Sequence, residues 1–170
     1  LGWIGLVQFL PALVLVVVTG VTADRFGRRN VMGLAVFVEM ACALAILFLA
    51  LTGRFEPFWV LAALTVFGVA RAFYSPASSS LAVNLVPKED FANAVGWITA
   101  SWQLASILGP VLGGLIYGIG APVAYTTAVS LFLISGVIVL TIPKPAQKGV
   151  KEPTTIRTLL GGFSYVWKEK

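Results

Sequence analysis

The 170-residue sequence contains no histidine, one cysteine and few charges, with 11% of its residues Asp, Glu, Lys or Arg. Without histidine, the chain lacks the commonest metal ligand and the commonest proton carrier near neutral pH. The single Cys42 permits neither a disulfide within the chain nor a cysteine metal cluster. The residues therefore imply no metal and no cofactor. The shortage of charge excludes more, because a soluble domain of this size needs a polar surface. What fills the chain is apolar: 58% hydrophobic residues and a mean hydropathy of +0.93. That is the composition of an integral membrane protein, with the lipid bilayer as its first partner. A formal charge of +5 could suggest nucleic acid. Such binding needs a basic face or an aromatic-basic motif, and the sequence has neither. Basic loops on one side of a membrane account for the excess.

A bilayer core about 30 Å thick takes about 20 mostly apolar helical residues. Five stretches qualify, about 1–21, 31–51, 58–81, 94–117 and 122–142, which predicts an all-α membrane protein with five transmembrane helices. Thr52-Gly53, Pro87, Gly118, Gly120 and Pro143 punctuate their ends. Pro122 suits a first helical turn, and Pro11 predicts a kink in the first span. A signal peptide is the alternative for 1–21, with Val21-Thr22-Ala23 as a loose cleavage site. No basic residues precede that apolar run, which argues against it.

Orientation follows from the basic residues. Ten of the twelve fall in 22–30 (Arg25, Arg28, Arg29), 82–93 (Lys88) and the tail 143–170. The opposite side holds Arg54, and Arg71 lies inside a span. Loops 22–30 and 82–93 and the tail are therefore expected in the cytoplasm. The chain divides into a partial bundle, 1–142, and a tail, 143–170. In the tail, Ile156, Leu159, Leu160, Phe163, Val166 and Trp167 recur at helical spacing among basic residues, as in an interfacial segment. The chain opens in mid-span and reads as a fragment.

Between the first two spans lies GVTADRFGRRN, residues 20–30. Gly20 and Gly27 allow a tight turn and close helix approach. Asp24 suits a helix N-terminus, and the arginines can pair with acids or carbonyls on a neighbouring element. A simple positive anchor would use the arginines but leaves Asp24 and the glycine spacing unexplained. This stretch resembles the signature loop of the major facilitator superfamily, between its second and third helices. The resemblance implies a cytoplasmic gate, made of Gly20, Asp24, Arg25, Gly27, Arg28 and Arg29, that stabilises one state of an alternating-access cycle. It also implies that the five spans match helices two to six of a twelve-helix fold, and that the tail begins the linker between two halves. The first helix and the C-terminal half of the same protein would then be missing from the chain.

Two further stretches agree. The run from Arg71 to Gly96 resembles the fourth-helix region and following loop of a bacterial efflux branch that includes enterobactin exporters and macrolide-efflux-type pumps. Ser75 stands where that motif usually has glycine. Ala105, Gly109, Pro110, Gly113 and Gly114 resemble the antiporter motif of the fifth helix, with Ala105 in place of its leading glycine. Together they imply a secondary active transporter of the cell membrane. It would export small amphiphilic molecules, of drug or siderophore type, by proton antiport and alternating access.

The residues themselves carry part of this reading. Thr65, Gly68, Arg71, Ala72, Ser75, Ser79 and Ala82 share one stripe of the third span at steps of three and four, a small and polar face suited to a bundle interior or wet cavity. Ser101, Ala105, Gly109 and Gly113 form a ridge on the fourth span, which is expected to pack closely against another helix, with Pro110 bending the rod. Arg71 and Glu39 are charges at membrane depth, costly unless paired or wet, and so candidates for substrate or proton coupling. Their depths nearly coincide, which allows an ion pair if their faces meet. A structural or snorkelling role for Glu39 stays equally open. A membrane-embedded enzyme would need paired acids, a Ser/His set or metal ligands, and the spans offer only these two charges. A solute importer on the same fold is the alternative within transport, disfavoured by Gly109-Pro110. A non-transporting sensor or assembly subunit is the alternative outside it.

Overall fold

The computed structural model describes Gly5, Leu13, Leu15, Thr19 and Thr22, then residues 26–53 and 56–143. Most of the first span, with Pro11, and the tail beyond 143 lie outside the described residues. So do Gly20, Asp24 and Arg25. Those described before Gly27 are helical. Four long helices follow: α1 Arg28–Thr52, α2 Pro57–Leu85, α3 Phe91–Ile119 and α4 Ala121–Thr141. A single 3-10 turn, Lys88–Asp90, leads into α3. All four helices are long and apolar enough to cross a membrane.

Three of the four are longer than expected, while α4 is shifted by one residue. α1 starts three residues before Val31, α2 continues past Leu81 to Leu85, and α3 begins at Phe91 rather than Ala94. Helices continue past their apolar stretch because ending one exposes backbone groups that the next turn would satisfy. The loop expected at 22–30 is correspondingly smaller. Phe26 and Arg28 are both helical, so the break between them is Gly27, with φ of 89° and ψ of 118°. No L side chain is at ease there, which is why glycine makes this turn. The Gly27 carbonyl accepts the first bond of α1 from the Val31 N–H at 3.0 Å. At the far end Gly53, in the left-handed region at φ 66°, closes the helix.

α1 is the central rod, packed along α2 on one side and α4 on the other, while α3 leans on α4 along a shorter seam. Burial follows this order. Val31, Ala35, Val36, Glu39, Cys42, Ala43 and Ile46 of α1 are buried, whereas no residue of α3 is. The α1–α2 contact centres on Val31 and Ala77, with Met32 and Phe73 against them. The α1–α4 contact is closer. A Cβ on Gly33 would stand 3.4 Å from Leu140 Cδ2, and one on Gly136 would stand 2.9 Å from Phe37 Cζ. Small residues set helix distance where lipid removes the hydrophobic drive to associate.

The glycine ridge expected to pack is a different matter. Added Cβ atoms at Gly109, Gly113, Gly114 or Gly118 of α3 would meet nothing within 4 Å among the described residues. The close-packed seam of this structure is α1–α4, whose Gly33 and Gly136 do not form a four-residue repeat and escaped pattern reading.

Candidate functional site

Arg28 and Arg29 occupy the first turn of α1, where a cation opposes the helix dipole and the turn itself carries no acidic residue. Their guanidinium groups reach instead to the ends of two other helices. Arg28 Nη1 donates to the Ser80 carbonyl near the end of α2 at 3.1 Å. Arg29 Nη1 donates to the Ile142 carbonyl, just past α4, at 2.9 Å. Both α2 and α4 lack a basic residue in their own last turn. Arg29 therefore places positive charge at the C-terminus of α4, where the dipole favours it and the last carbonyls have no intrahelical partner, while Arg28 reaches a carbonyl one turn before the end of α2. Ile142 is one of these orphan acceptors. Arg29 Nε is buried without a partner among the described residues. Adjacent residues at one glycine turn thus tie three helices together at one end of the bundle. The expected pairing with carbonyls of a neighbouring element is found for both arginines, and it involves two elements.

The second cluster lies deeper. The bond from Arg28 sets Ser80 level with the start of α1. Arg71, nine residues before Ser80, is then about 14 Å deep at 1.5 Å per residue. Glu39, eleven residues beyond Arg28, and Trp102, eleven beyond Phe91, each stand about 16 Å along their helices on the same rise. The three share one depth on α1, α2 and α3. Glu39 is buried, with 6% of its surface exposed. Arg71 is exposed, as are Ser75 and Ser79 one and two turns further along α2, so the polar face read from the sequence borders open space. Gly68, on the same stripe, is buried.

Arg71 and Glu39 form no ion pair among the described residues. The Arg71 guanidinium carbon lies over the Trp102 ring, 5.7 Å from its centroid, inside the range of a cation–π contact. Trp102 was not among the residues singled out from the sequence. A tryptophan in an apolar helix reads as one more lipid-facing side chain, and only its height opposite Arg71 distinguishes it.

Two hollows of about 560 and 610 Å³ run along the α1–α2 crevice and share Val38 and Val66. Their walls are almost wholly apolar, and neither reaches Arg71, Glu39 or Trp102. They are grooves suited to hydrocarbon and lie apart from the charged cluster. No group of three or more His, Cys, Asp or Glu side chains placed to hold a metal occurs among the described residues.

The sequence that builds these four apolar helices and the glycine turn has counterparts among known proteins. The pattern of the Major Facilitator Superfamily matches residues 1–170. The chain belongs to that superfamily. Its four helices long and apolar enough to cross a membrane agree with a segment of a multi-pass membrane protein. It is similar to an uncharacterized MFS-type transporter, YkuC, of Bacillus subtilis (strain 168), at 28% identity over 146 residues. That match covers 84% of this chain and 34% of the Bacillus protein. It is also similar to the putative multidrug resistance protein MdtD of Escherichia coli O9:H4 (strain HS), at 30% identity over 134 residues, covering 74% of this chain and 27% of that protein. The chain thus spans about a third or less of the length of these relatives.

Proposed function

We propose that the protein containing this chain is a secondary active exporter of small amphiphilic molecules in the cell membrane, driven by proton antiport and working by alternating access. The observation that carries the reading is the pair of bonds from Arg28 to Ser80 and from Arg29 to Ile142. A gate must hold one state and then release it. Part-buried charge-assisted bonds of this kind contribute only a few kcal/mol, enough to bias a two-state equilibrium without locking it. Gly20, Asp24, Arg25, Gly27, Arg28 and Arg29 act as that gate on the cytoplasmic side. Rocking of two helix bundles about a central site supplies the cycle. Arg71 and Glu39 couple substrate or proton movement, because charges at this depth cost several kcal/mol unless they are paired or face water. Ala105, Gly109, Pro110, Gly113 and Gly114 form the bent face on which α3 meets the rest of the protein. The segments that complete the bundle are a first helix, a C-terminal half and a linker beginning at 143–170.

The relative named as a multidrug resistance protein supports an amphiphilic substrate class. The test is export from vesicles containing the full-length gene product, with a proton gradient imposed. Efflux of a lipophilic dye that dissipates the gradient is expected. Uptake in the opposite direction would favour the importer, and no flux under any gradient would favour a sensor or assembly subunit.

A further inference from the structure

Among the described residues, Arg71 donates no hydrogen bond to the protein, and its one charge-specific neighbour at contact distance is an indole. A guanidinium has a face and an edge. The face is the part that stacks on an aromatic ring, while all five N–H donors point outward in the plane. With the face turned to Trp102, the edge remains available, and at this depth an unsatisfied donor set needs water or an acceptor. Trp102 itself keeps 57% of its surface exposed, so part of the indole is open beside the cation. Glu39, the acid at nearly the same depth on α1, is buried in the central helix. An incoming molecule therefore meets the arginine first.

We infer that Arg71 and Trp102 together form a recognition site for an anionic amphiphile with a flat aromatic body, such as an aromatic carboxylate. This rests on the proposal that Arg71 couples substrate or proton movement, and it adds the substrate class and a second residue. The carboxylate takes the guanidinium edge in the two-pronged geometry that arginine offers and lysine does not. The ring of the ligand lies along the exposed part of the indole. A cationic ligand fits worse, because the indole face already holds a cation and the Glu39 carboxyl is buried out of its reach. Trp102 also positions the arginine: without the ring, the long side chain swings freely and its edge loses direction.

The test is equilibrium dialysis of the full-length gene product in lipid nanodiscs, with empty nanodiscs as the blank. The probes are 2-naphthoate, 2-naphthylmethylammonium and cyclohexanecarboxylate. Naphthoate is expected to bind most tightly. Trp102→Ala and Arg71→Ala should each weaken it about tenfold, in line with a partly desolvated cation–π contact or a charged hydrogen bond. Trp102→Phe, which keeps a ring, should lose only about threefold. Cyclohexanecarboxylate should bind weakly, respond to Arg71→Ala, and lose less than naphthoate does in Trp102→Ala, because it forfeits only the positioning of the arginine and no ring contact. Equal or tighter binding of the ammonium probe, absence of naphthoate binding to the wild type, or unchanged naphthoate affinity in Trp102→Ala overturns the site. Binding is read without transport. Loss of flux with naphthoate binding intact would count against the exporter and leave this site standing, and the reverse result would do the opposite.

Discussion

The ring of Phe37 on α1 fills the space that a side chain at residue 136 of α4 would need. A Cβ on Gly136 would lie 2.9 Å from Phe37 Cζ and 3.0 Å from Cε1. Four residues before Phe37, Gly33 receives Leu140 and Val139 of α4, and four before that Arg29 binds the Ile142 carbonyl. These three contacts run in step along two antiparallel helices and fix their register. The arginine bond is the end of a packed seam, so altering the seam should loosen the bond.

Gly136→Leu should therefore lower the melting temperature of the purified full-length protein, through overpacking that costs about 1–3 kcal/mol. Phe37→Ala on its own leaves a void and also destabilises. Combined, the two changes should recover most of the loss, because the new side chain enters the space the ring vacates. Simple addition of the two losses would mean that the residues do not share a seam.

Arg29→Ala removes a charge-assisted bond to an orphan carbonyl, worth about 1.5–3 kcal/mol. Arg29→Lys keeps the charge beside the end of α4 but loses the planar fork, so it should retain a part of order 0.3–1 kcal/mol. Thermal unfolding in a fixed lipid mixture should rank wild type above Lys above Ala. Equal stability of all three would reduce the arginine to a positive anchor.

Gly27→Ala places a Cβ at φ 89°, a conformation that costs an L residue about 1–3 kcal/mol. The turn must open or rotate, and the two arginines that follow it move with it. Transport should slow while membrane insertion persists. Normal export at wild-type stability would show that the backbone here has no gating role.

Orientation is checked by cysteine labelling of full-length protein in intact cells. Cysteine at Glu56 or Ala121 should react with an impermeant reagent from outside, and cysteine at Arg28 or Lys148 only after permeabilisation. External labelling at Arg28 would reverse the assignment drawn from the basic residues.

Glu39→Gln keeps the size and hydrogen-bonding capacity of a buried side chain and removes its proton. If Glu39 couples proton movement, the variant should insert and fold but fail to drive efflux from a proton gradient. A normal coupled flux would assign Glu39 to structure alone.

Hydropathy was enough to locate all four described helices, because a segment inside a bilayer must satisfy its own backbone and so needs a long apolar run. The same physics made the glycine turn and its arginines visible, since four charges and two glycines between apolar runs have few structural uses. Helix ends were less legible. Lys88, Glu89 and Asp90 look like loop residues, yet they form the 3-10 turn that starts α3, and Arg28 and Arg29 look like loop residues but lie inside α1. Only the tertiary structure decided which carbonyls the arginines reach, 52 and 113 residues along the chain. Only it decided that, among the described residues, Gly33 and Gly136 rather than the regular glycine ridge of α3 carry close packing, and that Trp102 stands against Arg71. Apolar helices in lipid gain nothing from hydrophobicity when they choose partners. That choice rests on shape and on a few polar contacts across the bundle, which exist only once the helices are side by side.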